Sequence, residues 1–246
     1  MFEEYGPREG PIVLFLHPAG LSPAIFAPAV QELSKYGCHV LLPVLSGHGG
    51  DEETFQGIRE EALRQVAFLR GKTSAPILGI CAAGLGAQVA VEMLSLEPAL
   101  AQKAVLESLS IEPRRWYSVA IRLALQAQKM LKKGRFAKLF LRLAHVSPMI
   151  EEGYLAAMGS VSPETLRAAA EAGADYRLPE EFGIQKAQLL VLCAEKGPNS
   201  LQRSATQLAA VARTSTRMIG GGRQAYCLQD PAGYAVLARH FLLEKR

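Results

Sequence analysis

The sequence predicts an α/β protein: a mostly parallel central sheet with helices on both faces and an inserted helical segment. Three observations carry this. Short, continuous apolar runs alternate with amphipathic helical stretches, the pattern of a parallel sheet covered on both sides. Residues from about 111 to 180 show helical character only. The 246 residues fit one large α/β domain or two small ones, and a composition 49% hydrophobic and 20% charged is ample for a buried core and argues against disorder.

"PIVLFLHPAG" reads as a buried strand, Ile12 to Leu16, ending in a turn. "SPAIFAPAVQELSKYG" reads as a helix with Phe26, Val30 and Leu33 on one face and Gly37 as its stop. "CHVLLPVLSGHGGD" is a second buried strand followed by a glycine-rich loop, and Ile58, Ala62, Val66 and Leu69 mark the next helix. "APILGI" is a third strand, leading into a helix from about Ala82 to Leu96. Ala104 to Leu109 is a fourth strand. In the inserted segment Phe136, Leu139, Phe140 and Leu143 share one helical face, while Arg135, Lys138 and Arg142 share another. "AQLLVLCAEK" gives another strand, "TSTRMIGGG" a weak last one, and "PAGYAVLARHFLLEKR" a closing amphipathic helix.

The start, "MFEEYGPREG", lacks a basic region followed by an apolar run, so no export signal is expected. No apolar run reaches the ~18 residues of a membrane span. The scattered Cys38, Cys81, Cys193 and Cys227 are expected to be reduced thiols in a cytoplasmic protein. The histidines show no metal-ligand spacing, so no metal is expected. The net charge is +4, yet from Arg114 to Arg142 there are nine Lys/Arg and no Asp or Glu. That run is either a solvated face or a dock for an acidic partner or anionic surface, with Trp116 and Tyr117 as amphipathic anchors. Nucleic acid is not expected, for want of a motif.

Chemistry in open α/β sheets sits at the carboxyl ends of the strands. There the sequence places "LHPAG", with His17, Ala19 and Gly20, and "GICAAG", with Gly79 two residues before Cys81 and Ala83 two after. With "PVLSGHGGDEETF", these motifs resemble the α/β-hydrolase fold family over nearly the whole chain. The resemblance implies a core of residues 1–110 and 181–246, with 111–180 in the place of a cap. It also implies a strained strand-to-helix turn around a nucleophile at Cys81. The backbone N–H groups of Ala82 and Ala19 would then form an oxyanion hole. The acid position falls on Gly197, with Glu195 as a substitute, and the histidine position on Gln224, preceded by Arg223. Glutamine cannot accept and return a proton near neutral pH. His17 and His48 are expected to hold turns, His39 and His240 to be structural, and His145 could reach down from the cap.

Two functions stay open. One is a non-catalytic binder of a small apolar or acyl-type ligand, in a pocket that includes His17, Arg223 and Gly197. The other is an ester or thioester hydrolase or acyltransferase with Cys81 as nucleophile, its thiolate favoured by a helix N-terminus and by Arg223. Neither needs a cofactor.

Overall fold

The computed structural model describes residues 1–113, 135–212, 214, 216–223 and 225–244; for residues 135 and 136 it describes the backbone only. Seven strands form one sheet: β1 (Phe2–Tyr5), β2 (Ile12–Leu16), β3 (His39–Pro43), β4 (Ile77–Ala83), β5 (Ala101–Glu107), β6 (Gln188–Ala194) and β7 (Thr216–Ile219). Their order is β1-β3-β2-β4-β5-β6-β7. β1 runs antiparallel to β3, and every other pairing is parallel. β1 is a strand the sequence reading did not assign. Its side chains are mostly exposed, so it has no apolar run to read; an edge strand needs only its backbone bonds to β3.

Strand alternation sorts the core into two layers. Leu14, Leu16, Ile80, Ala82 and Leu106 pack against helices α2 (Ile58–Arg70) and α3 (Leu85–Leu96). Val13, Phe15, Cys81, Ala83 and Val105 pack the opposite way, against α1 (Ala27–Lys35) and the C-terminal helix Pro231–Leu243. The predicted helix stop at Gly37 is present, with φ of 82°.

Two predicted boundaries move. β5 starts at Ala101 and ends at Glu107, and Ser108 follows with φ of 54°. More consequentially, β4 runs on through Cys81, Ala82 and Ala83, which pair with Val105, Leu106 and Glu107 of β5. This pairing holds β4 extended to Ala83, so the turn comes later than predicted. Gly86 then lets α3 cross the end of β2 closely: a Cβ there would lie 2.2 Å from the Leu16 carbonyl oxygen.

Between β5 and β6 the described residues contain helices and no strand: α4 (Arg135–Leu143), α5 (Glu151–Ser160) and α6 (Pro163–Asp175). α6 rests on the loops after β2 and β3. Leu166 lies beside Gly20, and Thr165 lies beside Gly47. Trp116, Tyr117 and most of the basic run fall outside the described residues. After β6 come α7 (Asn199–Val211), a single turn α8 (Tyr226–Gln229) and α9 (Pro231–Leu243).

Candidate active site

The strand-to-helix turn is centred on Gly84, where φ is 55° and ψ is −119°. This is a backbone conformation that L side chains rarely adopt. Gly84 donates its N–H to the Glu107 carbonyl at 2.9 Å, and its own carbonyl accepts from Ala87 and Gln88. The predicted turn at Cys81 is therefore displaced by three residues. Cys81 is fully buried within β4 and faces the α1/α9 side of the sheet. Ala82, expected to donate an N–H into an oxyanion hole, is instead paired with Leu16 and Leu106 inside the sheet.

A cavity of about 140 Å³ opens at the turn, with Ala19, Gly84, Leu85, Ser108, Ala169 and Gly173 in its wall. α6 walls one side of it through Ala169 and Gly173. Gln88 of α3 holds α6 there, donating Nε2–H bonds to the carbonyls of Ser110 at 2.8 Å and Gly173 at 2.9 Å.

His17 is fully buried and is absent from the cavity wall. Its Nε2 accepts the Leu45 N–H at 3.1 Å, which leaves the proton on Nδ1 to donate to the Pro18 carbonyl at 2.9 Å. Burial, with His48 close by, pushes its pKa down to about 3, so the ring stays neutral. The rings of His17 and His48 meet edge-on at 5.3 Å, and His48 Nδ1 bonds the Ser46 carbonyl at 3.0 Å. Both histidines hold turns.

The relay positions point elsewhere. Glu195 is exposed, and its carboxylate accepts the Gly221 N–H at 2.7 Å. It ties the loop after β6 to the loop after β7, as does the bond from the Lys196 N–H to the Gly222 carbonyl. Gly197 closes a tight turn on the Ala194 carbonyl at 3.1 Å and does not line the cavity. Arg223 is exposed, its backbone N–H held by Gln229 Oε1 at 3.0 Å, so it does not accompany buried Cys81. Gln224 lies outside the described residues.

A second polar cluster lies on the Cys81 side of the sheet. Glu107, fully buried at the end of β5, accepts the backbone N–H groups of Tyr226 and Cys227, the latter at 3.2 Å. Burial pushes its pKa up to about 7 against the pull of those two donors. Burial likewise pushes the Cys81 thiol up to about 12, partly offset by the Tyr234 hydroxyl beside it. Cys227 is raised well above the ordinary thiol value, by burial first and then by the Glu107 charge. All four cysteines are free and buried. Among the described residues, no group of three His, Cys, Asp or Glu could hold a metal ion.

The model of the alpha/beta hydrolase family matches residues 13–237. The chain belongs to the alpha/beta hydrolase family. Solved structures agree on the fold. The enol-lactonase from Burkholderia xenovorans LB400 is 15% identical with a TM-score of 0.81, covering 99% of this chain and 96% of its own. A hydrolase from Pseudomonas aeruginosa PA01 is 17% identical with a TM-score of 0.80, covering 98% and 93%. A thermophilic esterase from Thermogutta terrifontis is 18% identical with a TM-score of 0.76, covering 98% and 92%. No curated protein matches the chain.

In this alpha/beta hydrolase, sequence reasoning missed Gly84 and Glu107. Small residues flank Gly84 at both second neighbours, Ala82 and Gly86, so the spacing rule fitted this register as well as that of Cys81. Residue type favours Cys81 in the sequence, since it carries a reactive side chain and Gly84 does not. Glu107 had a signal too: a carboxylate at the end of an apolar run, "AVLESLS".

Proposed function

We propose that this chain is a non-hydrolytic alpha/beta hydrolase that binds, and does not turn over, a small ligand at the Gly84 turn. One observation carries the reading: the residue in the strained strand-to-helix turn is a glycine, which brings no nucleophile to the cavity. The histidine of the "HPAG" turn, His17, has both ring nitrogens committed to backbone groups. What remains is the backbone. Leu85, the residue after the turn, and Ala19 both line the cavity, so their N–H groups replace the expected Ala82 and Ala19 pair as candidate oxygen-binding donors.

The cavity, about 140 Å³, is smaller than the ~300–1,000 Å³ typical of drug-sized ligands. That favours a short acyl or carboxylate group over a long apolar chain. The alternative, with Cys81 as nucleophile, asks a fully buried thiol with a pKa of about 12 to ionise on the wrong side of the sheet.

Short p-nitrophenyl esters and thioesters test the reading. No burst, no turnover and no mass adduct on Cys81 are expected, while short carboxylates raise the melting temperature. Ester turnover with an adduct on Cys81, abolished by Cys81→Ala, would overturn it.

A further inference from the structure

We propose that α4 and the turn that follows it dock on an anionic lipid surface. The helix is anchored through Ala137 and Leu141, both buried. The turn after it is tied to the core by the Ser147 N–H bond to the Leu228 carbonyl at 2.9 Å. The outward side is unlike an ordinary solvated face. Leu139 and Leu143 are 55% and 72% exposed, and Met149 is 61% exposed. Leu143 is the most exposed large hydrophobic side chain among the described residues. The predicted apolar face of this helix thus divides: Phe140 packs inward, and Leu139 and Leu143 face out.

Beside the leucine pair runs a cationic pair. Lys138 and Arg142 each precede one of the leucines, so the two i,i+4 stripes lie about 100° apart on the helix, side by side. Lys138, Leu139, Arg142 and His145 line an open cleft of about 730 Å³, with Glu151 its one acid. The charge is one-signed along the chain as well: residues 113–150 contain nine Lys/Arg and no Asp or Glu.

Charge complementarity calls for an anionic partner, and the leucine stripe decides its class. A bilayer interface presents phosphates and acyl boundary in one plane, and so meets both stripes of an in-plane amphipathic helix at once. An acidic protein surface would satisfy the cations and leave Leu139 and Leu143 in water.

Co-sedimentation of the full chain with phosphatidylcholine vesicles, alone or with about 30% phosphatidylserine, tests this. Binding is expected to the anionic vesicles only, falling as salt rises. Lys138→Gln with Arg142→Gln should weaken partitioning roughly 30-fold. Leu139→Ser with Leu143→Ser should weaken it by about tenfold or more, with the loss persisting at high salt. All four side chains are exposed, so the variants should melt as the parent does. The salt titration of the unaltered chain reads the electrostatic contribution without any variant. Equal binding to neutral vesicles, or none to anionic ones at low salt, overturns the proposal. So does capture of polyglutamate with vesicle binding indifferent to the leucine pair, which would point to an acidic protein.

Discussion

Glu107→Gln should change how stability depends on pH. The carboxylate is fully buried and bonded to two backbone N–H groups, and its pKa is raised from 4.5 to about 7. The titratable groups facing it are the Cys227 and Cys193 thiols and the Tyr234 and Tyr226 hydroxyls. Between the two pKa values the folded chain keeps the proton and the unfolded chain has lost it. The raised pKa therefore contributes stability that is present below 4.5 and is lost as pH rises to about 7. At about 1.4 kcal/mol per pH unit, the full shift is worth about 3 kcal/mol. His17 pulls the other way: its pKa is lowered from 6.5 to about 3, so its contribution is present above 6.5 and lost as pH falls. Comparing the parent with Glu107→Gln cancels His17. Urea unfolding of both, from about pH 5 to about pH 7, should show the parent losing about 2 kcal/mol relative to the variant. A difference that stays flat, or a parent that gains on the variant as pH rises, would mean that the carboxylate is already ionised in the folded state, and would refute the reasoning.

Three further tests read other parts of the molecule. Cys81, fully buried with a pKa of about 12, should resist iodoacetamide in the native state at about pH 8, where ~10⁻⁴ of it is thiolate; mass spectrometry showing labelling as fast as a free thiol would contradict this. Gly86→Ala puts a Cβ 2.2 Å from the Leu16 carbonyl oxygen and should cost about 3 kcal/mol in urea unfolding, because α3 must move off β2. Lys103 is buried and donates to the carbonyls of Phe241, Leu242 and Glu244 at the end of α9, so Lys103→Met should cost about 2–3 kcal/mol and speed amide exchange in that last turn.

The order of strands and helices was legible because a parallel sheet writes itself as continuous apolar runs. Val13–Leu16 and Val40–Leu42 are buried on both faces, with no polar alternation to confuse them. β1 was not legible, since an edge strand with exposed side chains carries no such run. The turn was legible in kind but not in register. "GICAAGLG" is a string of small residues, and both Cys81 and Gly84 have small second neighbours. Apolar pattern does not say where β4 stops; its pairing with Val105, Leu106 and Glu107 does. Cys81 packs in the α1/α9 layer, whereas Leu85 and Ala169, which line the cavity at the Gly84 turn, belong to the opposite layer.

The sequence by itself determined the fold, the existence of a strand-to-helix turn, and the absence of histidine from the loop after the last strand. Those follow from local pattern and residue type. Tertiary structure decided that the turn belongs to a glycine, that Glu195 ties two loops together, and that α6 walls one side of a cavity of about 140 Å³. Each of these depends on contacts between residues far apart in the chain, and no local pattern encodes such distances.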